Sequence, residues 1–95
     1  MALEHIDPVI NTELRMRLTA ALYGVSNSSF EDLKLGLGIT DSNLSKQLRV
    51  LEEADYIVIT KKRVGRRWET RIALSDNGES RYLSYRKELL AILNS

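Results

Sequence analysis

The sequence of 95 residues contains no cysteine and only one histidine, His5, close to its start. Disulfides and thiolate chemistry are therefore excluded, and a metal site built from side-chain sulfur and nitrogen is not expected. There is also no glycine-rich phosphate loop and no pair of carboxylates placed for acid–base chemistry in a cleft. We accordingly expect neither an enzyme nor a protein that holds a metal or another cofactor.

Long apolar runs and secretion signals are absent as well. The opening residues, MALEHIDPVIN, lack the basic start and apolar run of a signal peptide. No stretch approaches the roughly 20 apolar residues that cross a bilayer. We therefore expect a soluble cytoplasmic protein with no membrane partner, and its length predicts one domain over residues 1–95.

The net charge is only +1, but it is distributed unevenly. The segment from Lys61 to Arg71 contains six basic residues and one acidic residue, so it carries +5 and the remainder of the chain sums to −4. A local basic cluster on a nearly neutral protein is the electrostatic footprint that nucleic acid requires. The alternative is a solvated hairpin tip, which six basic residues near one turn make less attractive.

Helical periodicity and capping residues divide the first half of the chain into three predicted helices, at about residues 11–24, 29–37 and 41–54. Asn11 or Thr12 can cap the first helix, and Gly24 is expected to end it in the left-handed conformation. The pattern Ser28-x-x-Glu31 predicts a capping box for the second helix.

The third predicted helix has an apolar side and a polar side. Leu44, Leu48 and Leu51 fall on one face at helical spacing. The other side, with Gln47 on its flank, supplies the candidate contacts to base edges and phosphates: Thr40 at the helix start, then Ser42, Asn43, Ser45, Lys46 and Arg49. Such a helix suits a DNA major groove, although an ordinary amphipathic surface helix has the same pattern.

After Asp55, which tolerates the left-handed region, the period changes from about 3.6 to 2, and a two-stranded hairpin is predicted over residues 57–74. Its basic tip, turned by Gly65, supplies the candidate backbone or minor-groove contacts: Lys62, Arg63, Arg66 and Arg67. Arg71 is placed to pair locally on the strand. Trp68 is either a core anchor under the hairpin or an aromatic surface against the DNA backbone.

A long last helix is predicted at residues 76–93, capped by Ser75. Its residues Tyr82, Tyr85, Leu89 and Ile92 form one apolar stripe, and a second edge consists of Leu83, Leu90 and Leu93. This is more apolar surface than one helix needs to cover a small core. We favour an interface shared in a homodimer, with the first stripe as its contact residues. The alternative is a helix packed only on its own domain.

Together these elements predict an α+β, mostly helical fold: a winged helix-turn-helix with three helices, a hairpin wing and a long C-terminal helix. Two segments resemble parts of small, single-domain MarR/ArsR-like transcriptional regulators. LGITDSNLS, followed by Leu48, Leu51 and EEA, resembles their helix-turn-helix core, and VGRRWET resembles their wing. SDNG resembles the start of their final helix, and RMRL resembles part of their first helix. Asp55 stands where that subgroup commonly has glycine, and Trp68 where it often has proline.

The resemblance covers about residues 8–93 and implies a homodimer that binds a pseudo-palindromic operator, usually as a repressor. The sequence accordingly predicts a transcriptional regulator that binds double-stranded DNA. The serious alternative is a winged-helix adaptor that binds other proteins and no DNA, because a fold does not fix a function. A small-molecule effector is compatible with the chain, but no residue indicates one.

Overall fold

The computed structural model describes residues 6–95, so His5 and the first residues of the predicted domain lie outside the described part. The elements follow the order α1 (Glu13–Tyr23), β1 (Ser28–Ser29), α2 (Phe30–Leu37), α3 (Asp41–Glu53), β2 (Ile57–Val64), β3 (Arg67–Leu74) and α4 (Asp76–Leu93). The predicted α+β winged helix-turn-helix is confirmed. The structure adds the short strand β1 to the predicted hairpin, which makes a three-stranded sheet of order β1-β3-β2.

Each helix begins at a side-chain oxygen that accepts a hydrogen bond from a backbone N–H of the first turn. The capping residues are Thr12, Ser29, Thr40 and Ser75. The predicted capping box is wrong, because Ser28 pairs with Ile72 in the sheet and leaves Ser29 to cap α2. The prediction that Gly24 adopts the left-handed conformation is also wrong, because this residue ends α1 with a φ of −81°. Asp55 does adopt the left-handed region, with φ 60°.

Strands β2 and β3 form a long antiparallel ladder that runs from Ile57 opposite Leu74 to Val64 opposite Arg67. Gly65 occupies the first position of the two-residue turn with φ 63°, as hairpin turns of the primed types require. The ladder continues well beyond the buried core, because every residue from position 60 to position 68 is exposed. The outer half of the hairpin is therefore a projecting wing.

Opposed residues of an antiparallel pair point to the same side of the sheet, so the wing has two distinct faces. The inner face begins with Ile57 and Ile72, which are buried in the core, and continues outward with Lys61, Arg63 and Trp68. The outer face carries Thr60, Lys62, Val64, Arg67, Glu69 and Arg71. The two faces divide the basic residues between different directions.

The core lies where the four helices and the inner half of the sheet meet. Its buried apolar residues are Ile10, Leu18, Leu22, Leu33, Leu44, Leu48, Leu51, Tyr56, Ile57, Ile72 and Tyr85. The apolar stripe of α3 supplies three of them, Leu44, Leu48 and Leu51, so its position in this core turns the opposite side of α3 toward solvent. Burial of each such side chain stabilises the fold by about 1.5–3 kcal/mol relative to exposure.

The segment before α1 is attached to the rest of the fold by the carboxylate of Asp7. This carboxylate accepts hydrogen bonds from the Tyr56 hydroxyl, from the backbone N–H of Val9 and from Nε and Nη2 of Arg81 at 3.2 and 2.9 Å. The Arg81 guanidinium also lies 4.2 Å from the centre of the Tyr56 ring and donates to the carbonyl of Ala54. One carboxylate thus joins the N-terminal segment, the end of α3 and α4.

Replacing Asp7 with alanine is expected to lower the free energy of unfolding by about 2–3 kcal/mol, because the buried Tyr56 hydroxyl and the Arg81 guanidinium lose their acceptor. Burial alone would raise the pKa of the Asp7 carboxyl, but the hydrogen bonds from Tyr56 and Val9, together with Arg81, outweigh it and lower the pKa below its ordinary value of 3.8. The stabilisation is therefore complete above that value and is lost as the pH falls below it.

Urea unfolding at neutral pH and at pH 3 measures both effects. Asp7→Ala should be less stable than the parent at neutral pH and should lose less stability on acidification. The exposed Glu53, which has no ion pair within residues 6–95, provides the control Glu53→Gln. Equal stability of Asp7→Ala and the parent at neutral pH would contradict the prediction.

Candidate nucleic-acid interface

The exposed side of α3 carries most of the residues that the sequence predicts to read DNA. Ser42, Ser45, Lys46 and Arg49 are all exposed. Within residues 6–95, no acidic side chain forms an ion pair with the Lys46 ammonium or the Arg49 guanidinium. Their charges are therefore available to an external phosphate or base edge.

The start of α3 is held in place by local hydrogen bonds. The Thr40 hydroxyl accepts from the backbone N–H of Asn43 at 3.2 Å and lies 3.3 Å from the Ser42 hydroxyl. Asp41 forms an ion pair with Lys34 of α2 at 2.7 Å, which connects the two helices across the turn, and this neighbour raises the pKa of Lys34. Thr40 therefore has a structural role at the helix start, whatever else it contacts.

Asn43 and Gln47 differ from the rest of this side of the helix. Asn43 is half-buried, and Gln47, which the sequence placed on the flank of the exposed face, is only 9% exposed. The Gln47 amide lies between two partners: it accepts from Arg15 of α1 at 2.8 Å and donates to Asn43 at 3.1 Å. Helical spacing alone could not reveal this burial, because the partner belongs to another helix.

The basic residues of the wing fall into three groups. Lys62 and Arg67 lie on the outer face, Arg66 occupies the turn, and Arg63 lies on the inner face. No carboxylate within the described range 6–95 pairs with any of these four. Arg71, in contrast, pairs with Glu69 and donates to the Asn27 side chain at 2.7 Å, so the expectation of a local partner is confirmed.

The inner face of the wing is turned toward α3. Ser45 and Arg49 of α3 line a groove together with Ile59 and Thr70 of the inner face. Because Lys61 shares that face and contacts the Thr70 hydroxyl at 3.2 Å, its charge lies on the same side as α3. Sequence reasoning left Lys61 out of the site, although strand alternation counted from the buried Ile57 would have placed it there.

Trp68 is 63% exposed, so its interpretation as a core anchor is wrong. The ring lies on the inner face opposite Arg63, whose guanidinium is 5.9 Å from its centre. Arg63 also donates from Nε to the carbonyl of Gly65 at 3.1 Å. The Arg63 guanidinium and the Trp68 indole are thus within cation–π distance of each other near the wing tip.

The predicted dimer-contact stripe of α4 lies largely against the chain's own core. Tyr85 is buried, with its hydroxyl 3.0 Å from the Asn11 side chain, while Tyr82 and Leu89 pack on the core and Ile92 is half-buried. Solvent reaches the second apolar edge instead. Its side chains Leu83, Leu90 and Leu93 are 42%, 47% and 70% exposed.

None of the helices within residues 6–95 combines the length and apolar character that a bilayer crossing demands. Within the same residues, no three histidine, cysteine, aspartate or glutamate side chains lie close enough together to hold a metal ion.

Comparison with known proteins gives consistent results. The sequence pattern of the winged helix DNA-binding domain matches residues 14–93. The uncharacterized protein MJ0432 of Methanocaldococcus jannaschii is 31% identical over 84 residues, which is 88% of this chain and 91% of that protein. The structure of a transcriptional regulator homologue from Pyrococcus horikoshii OT3 is similar with a TM-score of 0.85 at 21% identity, covering 90% of this chain and 85% of that one. A MarR-family regulator from Enterococcus faecalis V583 gives 0.71 at 21% identity, with coverage of 90% and 82%.

The fold and its exposed basic surface are those of a winged-helix protein that binds DNA. The chain belongs to the winged helix DNA-binding domain family. Its fold is similar to that of a MarR-family regulator, as the predicted resemblance implies. The chain is accordingly a DNA-binding domain.

Proposed function

We propose that this protein is a homodimeric, sequence-specific repressor that binds double-stranded operator DNA. The exposed side of α3 enters the major groove, and the wing follows the flanking backbone or the adjacent minor groove. The observation that carries the proposal is the set of exposed basic residues on α3 and the wing, which have no carboxylate partner within residues 6–95. One of them, Arg49, lines the groove between α3 and the inner face of the wing. Such residues release counterions from DNA and supply most of the binding free energy.

We assign two roles to these side chains: some contact base edges, and others contact the DNA backbone or the minor groove. Ser42, Asn43 and Lys46 are assigned to base edges, because they project from the first turns of α3, the end of a recognition helix that reaches furthest into the groove. Ser45 and Arg49 serve bases or phosphates. The wing residues Lys62, Arg63, Arg66 and Arg67 serve the backbone or the minor groove, where arginine favours a narrow channel.

The homodimer is supported by the exposed apolar edge of α4 and by the relation of this chain to MarR-like regulators. A pair of related chains would present two copies of α3 to the two half-sites of an inverted repeat. One similar structure, NadR, was determined in complex with 4-hydroxyphenylacetate; it has a TM-score of 0.76 at 22% identity. A small effector is therefore compatible with the fold, and we assign no site for one in this chain.

The wing provides the direct test of DNA binding. Replacing Arg66 and Arg67 together with alanine is expected to weaken binding to all duplexes alike, roughly 50-fold at 0.1 M salt, because each lost phosphate contact removes about 0.9 from the salt slope. Affinity for an operator selected from a random pool and for an unrelated duplex is measured across a range of salt concentrations.

The control removes a basic charge from elsewhere, with Arg17→Ala on the exposed side of α1. This control should retain both affinity and salt slope. The proposal would be contradicted if the affinity for DNA did not depend on salt or on the wing charges, or if the parent protein bound no duplex. Either result would favour a protein–protein adaptor.

A further inference from the structure

Three polar side chains form a continuous hydrogen-bonded relay from α1 to the start of α3. Arg15 Nη1 donates to Gln47 Oε1 at 2.8 Å, and Gln47 Nε2 donates to Asn43 Oδ1 at 3.1 Å. The other end is also attached, because Arg15 Nε donates to the carbonyl of Val9. Gln47 is 9% exposed, so the middle of the relay is shielded from water, while Asn43 at its end is half-buried and reaches the surface.

The direction of this relay is determined by chemistry. A guanidinium has only donors, so the Gln47 atom that faces Arg15 has to be the oxygen. The nitrogen of the same amide then faces Asn43 and requires an oxygen there. Rotation of the Asn43 amide would set two NH₂ groups against each other, and Asn43 is therefore held with its oxygen inward. Within residues 6–95, no group accepts a hydrogen bond from Asn43 Nδ2, which is the atom left for an external partner.

We propose that Arg15 and Gln47 are positioning residues that present Asn43 to DNA as a hydrogen-bond donor, an inference that rests on the proposed function of α3. A free asparagine pairs bidentately with adenine by using both amide atoms. An asparagine whose oxygen is held inward presents its NH₂ group to the groove. It therefore favours bases with major-groove acceptors: guanine through N7 and O6, thymine through O4 and adenine through N7 alone. It disfavours cytosine on the contacted strand, because cytosine offers only its N4 donor there.

The decisive variant is Gln47→Glu, which keeps the length of the side chain and its contact with Arg15. A carboxylate has no hydrogen to donate, so Asn43 gains by turning its NH₂ group inward and its oxygen outward. Preference at the base contacted by Asn43 should then move toward adenine or cytosine, which carry major-groove donors. The expected change in relative affinity between guanine and cytosine at that base is about tenfold.

The measurement has two stages. Duplexes bound by the parent and by Gln47→Glu are selected from a random pool, and dissociation constants are then determined for all four bases at each operator position. Asn43→Ala identifies the contacted position, since it should flatten the preference there in both backgrounds. Thermal unfolding checks that each variant is folded. If Gln47→Glu does not fold, Gln47→Leu replaces it; this variant frees the Asn43 amide and should increase the share of adenine at the same position.

The outcomes separate the relay from the proposed function. A parent protein that selects no sequence contradicts the proposed function itself. A parent with a clear operator, beside folded Gln47 variants that retain its preference at every position, overturns the relay while DNA binding stands. The same conclusion follows if the Gln47 variants weaken binding to all sequences equally, because that is the behaviour of a purely structural residue. A change confined to the Asn43 position supports the inference.

Discussion

Replacing Gly78 with alanine is expected to destabilise the fold by more than about 4 kcal/mol, a large part of the 5–15 kcal/mol typical of a small domain. Gly78 is the third residue of α4 and is buried. A Cβ at this position would overlap the carbonyl oxygen of Tyr56 and lie 2.7 Å from its carbonyl carbon. Both atoms belong to the backbone, so no change of side-chain rotamer can relieve the clash.

The backbone around this contact is held on both sides. The N–H of Ser75 donates to the same Tyr56 carbonyl at 2.9 Å, and the Ser75 hydroxyl donates to the carbonyl of Asp55 at 2.7 Å. The ring of Tyr56 is fully buried in the core. Moving α4 away from the added methyl group would therefore break these bonds and withdraw a large aromatic side chain from its packing.

Gly36 provides a matched control in the same protein. It lies inside α2, and a Cβ added there meets no heavy atom within 4 Å. Gly36→Ala should raise the free energy of unfolding by about 0.5–1 kcal/mol, because alanine loses less entropy than glycine in a helix. Urea unfolding followed by circular dichroism measures both variants. A Gly78→Ala protein that unfolds at the same urea concentration as the parent would contradict the close packing of α4 against Tyr56.

The helices and the hairpin could be predicted because their signals are local. The stripe of Leu44, Leu48 and Leu51 specifies which side of α3 is buried, and the alternation before and after Gly65 specifies the wing. The role of Gly78 could not be predicted in the same way. Its sequence context indicates only a helix start, whereas the requirement for glycine comes from the backbone of Tyr56, which is 22 positions away in the sequence.

The candidate site was predictable in composition but not in detail. Charge and strand alternation located the wing, and alternation from the buried Ile57 places Lys61 and Arg63 on one face and Lys62 and Arg67 on the other. Only the folded structure shows that the first of these faces is turned toward α3. Strand β1 was missed because two residues are too short for any periodic pattern. The burial of Gln47 was missed for a different reason, since a polar side chain is placed outside by default unless a partner such as Arg15 is known.

The two apolar edges of α4 could also be recognised in the sequence. The sequence did not show which edge packs on the core and which edge remains exposed. The edge that contains Tyr85 packs into the core, with Tyr82 and Leu89 packed beside it. The edge of Leu83, Leu90 and Leu93 remains in contact with solvent. An exposed apolar edge along a terminal helix is the kind of surface that a second copy covers in a two-fold dimer.

Replacing Leu90 and Leu93 together with glutamate is expected to convert the proposed dimer to a monomer. Glutamate retains helix propensity, and both positions are solvent-exposed, so the fold of the single chain should persist. Two linked half-site contacts bind more tightly than one by about a hundred- to ten-thousand-fold, because the second contact is intramolecular. Affinity for an inverted-repeat operator should fall by that factor, whereas affinity for an isolated half-site should change little.

Sedimentation at micromolar concentration and titration of the two duplexes measure these effects side by side. Ser84→Glu is the matched control, since Ser84 is exposed on α4 but lies on the other flank of the helix, away from the Leu83 edge. It adds a negative charge without entering the proposed interface, so this variant should remain dimeric and retain operator affinity. If the Leu90 and Leu93 double variant sediments as a dimer, the exposed edge is not the interface. If the parent itself sediments as a monomer, each α3 binds one half-site alone. That result would contradict the proposal that a dimer binds an inverted repeat.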